Sequence, residues 1–334
     1  YYSLMNDIDA SATAGWNSNT GFAPIGGFGS FTGLLDGQGR TVDHLKIAPT
    51  LSTIDRIALF GMIGVGGVVK DLNLPNVDIH ANPNVGTNYQ SLGALAGVNG
   101  GMIFGVTASG TIDGGNVSGV TAGGLVGQNI KTLNGSTVTG GLILGSSAAV
   151  DVTLGNGAGC TTALTSCYNN AVGGLVGFNS GGILVSSATG NISSAGVNVQ
   201  LGGLVGYNSP GSFILGSHAT GNVTATAPLT ANTGVDCSIS GSNCQYETAG
   251  GLVGSNSGTI QGNAVVPVLT QPCLAGQTCA TGAVSVGSSG AAGGLVVDGG
   301  GDRPAVVLDE VQQGKFVEAR GVQRFPELAF AGRA

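Results

Sequence analysis

Charge is the scarcest thing in this sequence. Asp, Glu, Lys and Arg make up 8% of its 334 residues, against about a quarter in an ordinary globular chain. Lys and Arg number only ten and the net charge is −7, so there is no basic stripe to neutralise phosphates, and nucleic-acid binding is excluded. Long apolar runs are missing as well. Apolar residues come in runs of three to five, such as Ile183-Leu184-Val185 and Phe213-Ile214-Leu215, far short of the roughly 18 needed for a membrane-spanning helix. The chain opens at Tyr1 with no basic and apolar lead, which reads as a processed or excised piece of something longer. Two other classes fail on what is present. A hydrophobic share of 42% is too high for a disordered segment, and the 64 glycines do not fall at every third position as collagen requires.

Catalytic residue types are equally thin. From residue 81 to 297 the charged residues are Asp113, Lys131, Asp151, Asp236 and Glu247, with His218 the one histidine. Glycan lyases and hydrolases need paired carboxylates, or a carboxylate, a base and a cation on one face. The N-terminal acids Asp7, Asp9, Asp36, Asp43, Asp55, Asp71 and Asp78 are more numerous. They read as turn and solvated-strand residues, with calcium binding and catalysis as rival roles, and His44 and His80 stand apart from any Cys or second His. No Gly cluster is followed by Lys-Ser or Lys-Thr as a phosphate loop requires, and Gly287-Ser288-Ser289-Gly290 is a turn rather than a nucleophile elbow. No catalytic, cofactor or metal site is assigned, and the chain is expected not to be an enzyme.

What is present is a repeat. Gly-Leu-Val-Gly, followed one residue later by Asn, occurs at Gly124 to Asn129, Gly174 to Asn179, Gly203 to Asn208 and Gly251 to Asn256. Ala94 to Asn99, Ala58 to Gly61 and Gly294 to Val296 are weaker copies. The last Gly falls at 61, 97, 127, 177, 206 and 254, so steps of 29 and 30 define a bare unit and the longer steps carry insertions of roughly 6 to 20 residues. A unit this short cannot bury its own apolar face and must stack on its neighbours.

One bare unit holds three strand-like segments, Gly173 to Gly177, Ile183 to Ala188 and Asn191 to Ser194, separated by Asn-Ser-Gly-Gly and Thr-Gly turns. Three strands per period predict one coil of an all-β, three-faced β-solenoid, with coils paired in parallel about 4.8 Å apart. Residues 1–80 are read as N-terminal coils and lead-in, 81–297 as the repeat body and 298–334 as an atypical tail. Asn99, Asn129, Asn179, Asn208 and Asn256 fall at one equivalent corner, where a side-chain amide can both donate and accept between coils, so a structural ladder is expected. Glycan or ion binding by that column is the rival role. The residue before each Asn points outward, which sets Phe178 beside Tyr207 as an expected aromatic stack or glycan contact.

Six cysteines fall in close pairs: Cys160 with Cys167, Cys237 with Cys244, and Cys273 with Cys279. Six allow 15 connectivities, but confinement of each pair to its own insertion predicts neighbour pairing and loops stapled out from the rod, in an oxidising compartment. Zinc is the rival reading, weakened because no His lies near any pair.

The tetrad resembles the bacterial GLUG repeat. The stretch Asn6-Asp7-Ile8-Asp9-Ala10, Trp16, Phe22 to Gly26 and Phe31 to Val42 is similar to the segment that often precedes it. Together they resemble large secreted exoproteins of the filamentous-haemagglutinin type, exported by two-partner secretion. The resemblance covers roughly residues 1 to 297. It implies a right-handed parallel β-helix in an extracellular, cell-surface adhesin or adhesin-like shaft, and an outer-membrane export partner; a glycan or a host or matrix surface is the expected target. It supplies no catalytic residues. A carbohydrate-active β-helix enzyme and a filament subunit assembling end to end are the alternatives. After Val297 the repeat decays and ten charged residues appear between Asp302 and Arg333. Val306-Val307-Leu308 and Lys315-Phe316-Val317 would suit a capping hairpin that covers the last strand edge.

Overall fold

The structure, a computed structural model, describes residues 1–27, 29–84, 89–117, 119–134, 137–155, 170–196, 199–226, 248–261 and 278–285. It also describes the strands at 291–293, 296–298, 310–312 and 315–317. Among these residues the chain winds through three sheets of 18, nine and seven strands, nearly all paired in parallel. Each coil runs once through all three. In one turn, Asn170–Gly173 lies in the nine-stranded sheet and Val176–Asn179 in the seven-stranded sheet. Gly182–Leu184, Ser187–Ala188 and Ile192–Ser194 then follow in the large sheet. The next coil repeats this in register, with Val176 on Val205, Ile183 on Ile214 and Ile192 on Val223. This is a three-faced parallel solenoid, as the repeat predicts.

The tetrad itself is corrected in place. It is the corner between two sheets, with strands ending at Gly173 and restarting at Val176. Hydrogen bonds continue around that corner: Leu175 and Val176 N–H both donate to the Leu204 carbonyl, at 2.9 and 3.0 Å. Backbone therefore follows backbone at strand spacing even through the bend. A Cβ built on Gly174 would overlap the Gly203 carbonyl oxygen and come within 2.8 Å of the Ala188 methyl. That close approach is why the corner is Gly and why the facing column of the large sheet, Ala148, Ala188 and Ala219, is Ala.

The core is made of columns rather than a single cluster. Val69, Ile103, Ile143, Ile183 and Ile214 stack inward from the large sheet, and Leu95, Leu125, Leu175, Leu204 and Leu252 from the tetrad corner, all fully buried. Each such side chain removed from water stabilises by roughly 1.5 to 3 kcal/mol before ordering costs. Most of that burial exists only because a neighbouring coil is there.

After each Ile the chain turns through a residue in the left-handed region: Gly105, Gly145 and Gly216 have φ of 58, 58 and 59°. Val185 occupies the same place at φ 48°, with 53% of its surface exposed. A β-branched residue there costs about 1 to 2 kcal/mol, more than the extra chain entropy that Gly loses on folding, about 0.5 to 1 kcal/mol. Val185→Gly is expected to stabilise the protein by about 1 kcal/mol, read as a rise in the denaturant midpoint at unchanged slope. A fall would mean that the Val185 side chain makes contacts worth more than its backbone strain.

The stapled-loop expectation is corrected as well. Among the described residues no cysteine pair closes a projecting loop. Cys279, the one described cysteine, lies in the wall strand Cys279–Ala280, 4% exposed and in register with His218. It is not a free thiol. Its place is set by coil stacking, which spacing from Cys273 could not show. Cys160, Cys167, Cys237, Cys244 and Cys273 lie outside the described residues.

One insertion in the 50-residue step is an antiparallel hairpin, Thr132–Asn134 with Thr137–Thr139, around an Asn-Gly-Ser turn sequence. In the tail, Glu310–Gln312 and Lys315–Val317 form a second hairpin that pairs antiparallel to Ala291–Gly293. Val306 to Leu308 lie outside the described residues.

Candidate functional site

The asparagine column is a continuous hydrogen-bonded chain. Nδ2 of Asn99, Asn129, Asn179 and Asn208 each donates to Oδ1 of the next coil's Asn at 2.8 Å, ending on Asn256. Four of the five Oδ1 atoms also serve their own turn: those of Asn99, Asn179 and Asn256 accept the N–H two residues on, from Gly101, Gly181 and Gly258, and that of Asn208 accepts the Ser212 hydroxyl. Asn99 to Asn208 are fully buried. Their amides are satisfied by one another and by the turns, leaving nothing to offer a ligand.

Two further ladders escaped sequence reading. Ser146, Ser186 and Ser217 are buried at the bend within the large sheet. The hydroxyls of Ser186 and Ser217 accept from the backbone N–H of the serine one coil before, and that of Ser146 accepts from Val106 N–H. At the opposite corner Asp151, Asn191 and Asn222 do the same in the open: each side-chain oxygen caps the next coil's backbone N–H at 2.7 to 3.2 Å. The recurring Thr-Gly-Asn at 189–191 and 220–222 was the available signal.

The charges that looked isolated are paired. Lys70 Nζ lies 2.7 Å from Asp36 Oδ2, and this contact, with Gln38 N–H and Tyr1 O–H, holds the Asp36 carboxyl below the ordinary 3.8. Asp78 and His80, two apart on one strand face, meet Lys46 from one neighbouring coil and Asp113 from the other. Asp78 Oδ2 lies 2.9 Å from Lys46 Nζ and Oδ1 2.7 Å from His80 Nε2, while His80 Nδ1 is 3.7 Å from Asp113. Burial pushes the Asp78 carboxyl up, but its contacts with Lys46 and His80 outweigh it and the net shift is downward. The imidazole fills the space between the two carboxylates. Among the described residues no group of three His, Cys, Asp or Glu could hold a metal ion. His218 has an unpartnered Nδ1 and a pKa lowered by burial.

The large sheet shows apolar residues on both faces. In each apolar triplet the middle Ile faces the core, so its neighbours face out: Met102 and Phe104, Leu142 and Leu144, Phe213 and Leu215. Leu184 continues the second column, and the Phe213 ring lies over Gly182. The stripe is most open at Phe213, 42%, and Leu215, 38%, beside Val185. Alternation makes this legible in the sequence once the strands are placed.

Two columns of buried and half-buried side chains, one on the nine-stranded and one on the seven-stranded sheet, face each other along the axis and form a furrow. One wall is the column Arg56, Ser91, Thr121, Ala171, Gln200, Thr248, and the other is Met62, Val98, Gln128, Phe178, Tyr207, Ser255. At the N-terminal end it is closed by contacts between its walls. Arg56 Nη1 reaches Met62 Sδ at 3.4 Å, and Gln128 Nε2 donates to Ser91 Oγ at 2.7 Å and Thr121 Oγ1 at 3.2 Å. Above Gln128 those bridges stop. Phe178 and Tyr207, both half-buried, pair with centroids 5.6 Å apart and planes tilted by 44°, rather than stacked flat.

No family model matches the chain. Its sequence is similar to Halomucin of Haloquadratum walsbyi, 39% identical over 115 residues, which is 34% of this chain and 1% of that protein. This chain therefore spans only a minute part of the length of that relative. Its fold is similar to the crystal structure of a candidate immunoglobulin A1 protease from Bacteroides ovatus, with a TM-score of 0.51 and 18% identity, covering 85% of this chain and 77% of that one. At that identity the likeness extends to fold alone. No helix among the described residues is long and apolar enough to cross a membrane.

Proposed function

We propose that this chain is a rod segment of a secreted surface protein, with a structural and adhesive rather than catalytic role. The observation that carries it is where the repeated residues go. The Asn, Ser and Asp/Asn ladders and the tetrad corners are all taken up by coil-to-coil contacts, so the repeat encodes length and stiffness, and recognition falls to residues between the ladders. Similarity to part of a very long protein, Halomucin, supports the reading of a segment within a larger chain. Export by an outer-membrane partner and kinship with GLUG-bearing exoproteins belong to this proposal and rest on the tetrads.

The direct test coats beads with the purified chain and measures attachment to cell and matrix surfaces, while neutral and acidic polysaccharides are incubated with it and assayed for new reducing or unsaturated ends. Attachment without turnover is expected. Turnover lost on Asp78→Asn would establish the alternative, a carbohydrate-active enzyme.

Self-association is a second reading, favoured by the outward apolar stripe. The occupant would be a second copy packed antiparallel about a two-fold axis, because the same pair of columns repeats at the same spacing on both partners. That arrangement sets the charged Asp36–Lys70 end of one stripe against the neutral Thr259–Gln261 end of the other, with no like charges opposed. Sedimentation velocity is expected to show dimer at micromolar concentration and monomer for Leu184→Lys with Leu215→Lys. A wild-type monomer at every concentration would remove this reading.

A further inference from the structure

We infer that the part of the furrow above Gln128 is a binding site for a neutral saccharide chain, which rests on the adhesive reading and gives it a ligand class. Two things change together above Gln128. The wall-to-wall hydrogen bonds end, and aromatic rings replace the amide on one side while the facing wall drops to the small Ala171. Around those rings the Gln200 amide and the Tyr207 hydroxyl bond no protein group among the described residues, and Thr248 Oγ1 is buried without a partner. Half-buried polar groups that bond only water can exchange it for a ligand's hydroxyls.

The chemistry required of the occupant follows from the walls. Two half-exposed ring faces one coil apart favour a flat apolar patch that repeats along a chain, and the amide and hydroxyls favour a partner rich in neutral donors and acceptors. Among the described residues no charged side chain stands in either column above Arg56. A pyranose chain lying along the axis meets each requirement: axial C–H faces on Phe178 and Tyr207, hydroxyls toward the Gln200 amide and the Tyr207 O–H. An acidic polymer or a peptide carboxylate finds no cation there.

The test titrates the full chain with cellopentaose, maltopentaose and laminaripentaose, and with a pentagalacturonate as the acidic contrast, by calorimetry. Saturable binding of at least one neutral pentasaccharide is expected, with none of the acidic one. Affinity should fall by about tenfold or more in Phe178→Ala with Tyr207→Ala, by several-fold in Gln200→Ala, and not at all in Met62→Ala at the closed end. Phe178→Leu keeps apolar volume without a π face and separates loss of stacking from loss of fold, which circular dichroism checks in each variant. No neutral binding at millimolar ligand, or wild-type affinity in the double variant, overturns the site. Bead attachment separates this from the adhesive reading. Attachment retained by the double variant removes the furrow and keeps adhesion, whereas sugar binding without wild-type attachment keeps the furrow and removes adhesion.

Discussion

Asn179→Ala should unfold at a markedly lower denaturant concentration, with a loss of about 3 to 5 kcal/mol. Four hydrogen bonds meet on that amide: it donates to Asn208 Oδ1 at 2.8 Å and to the Gly181 carbonyl at 3.4 Å, and accepts from Asn129 Nδ2 at 2.8 Å and Gly181 N–H at 3.2 Å. Removing it leaves buried donors and acceptors unmet on three sides, at about 1 to 3 kcal/mol each. Part of the loss is recovered locally. Asn129 Nδ2 keeps the Gly141 carbonyl at 2.8 Å, and Asn208 Oδ1 keeps the Ser212 hydroxyl at 2.7 Å, which is why the expected value stays below the sum. Asn256→Ala, at the ladder's half-buried end, should cost only about 1 kcal/mol. Equal costs for the two would mean that the amides act singly rather than as a chain.

Gly174→Ala is expected to cost about 3 kcal/mol or more, from one methyl group. The added Cβ would overlap the Gly203 carbonyl oxygen and press on Ala188. Both belong to walls that are hydrogen-bonded coil to coil, so neither can retreat alone, and overpacking penalties reach the top of their usual range. Gly145→Ala is the informative contrast. Its Cβ would meet nothing within 4 Å, so only the left-handed backbone at φ 58° is penalised, at about 1 to 2 kcal/mol. Thermal or urea unfolding of the two variants separates close approach from backbone strain. A Gly174→Ala protein as stable as Gly145→Ala would show that the tetrad corner has room.

The repeat made the solenoid legible because period survives when individual strands are ambiguous. The Asn column was readable for the same reason, since one residue type returns at one phase. Strand limits were not. Gly-Leu-Val-Gly looks like a short apolar strand, and only the backbone approach at Gly174 reveals that it is a bend. Cys279 was expected at the base of a projecting loop because Cys273 is near in sequence, whereas coil register places it on the wall beside His218. The Lys46–Asp78–His80–Asp113 cluster and the furrow share a deeper obstacle. Each brings together residues from successive coils whose insertions differ in length, so the sequence distance between partners, 33 residues from His80 to Asp113 and 37 from Ser91 to Gln128, carries no sign of contact. The outward Phe104, Leu144 and Leu215 could have been read from alternation around each core Ile, had the tetrad been recognised as a corner.

Hydrogen exchange of the side-chain amides tests most directly that the repeated residues build the rod rather than bind. By NMR on selectively Asn-labelled protein, the Nδ2 protons of Asn129, Asn179 and Asn208 are expected to exchange only with global unfolding, while that of the exposed Asn191 exchanges orders of magnitude faster. Ladder amides exchanging as fast as Asn191 would contradict a continuous buried column and, with it, the assignment of the repeat to structure.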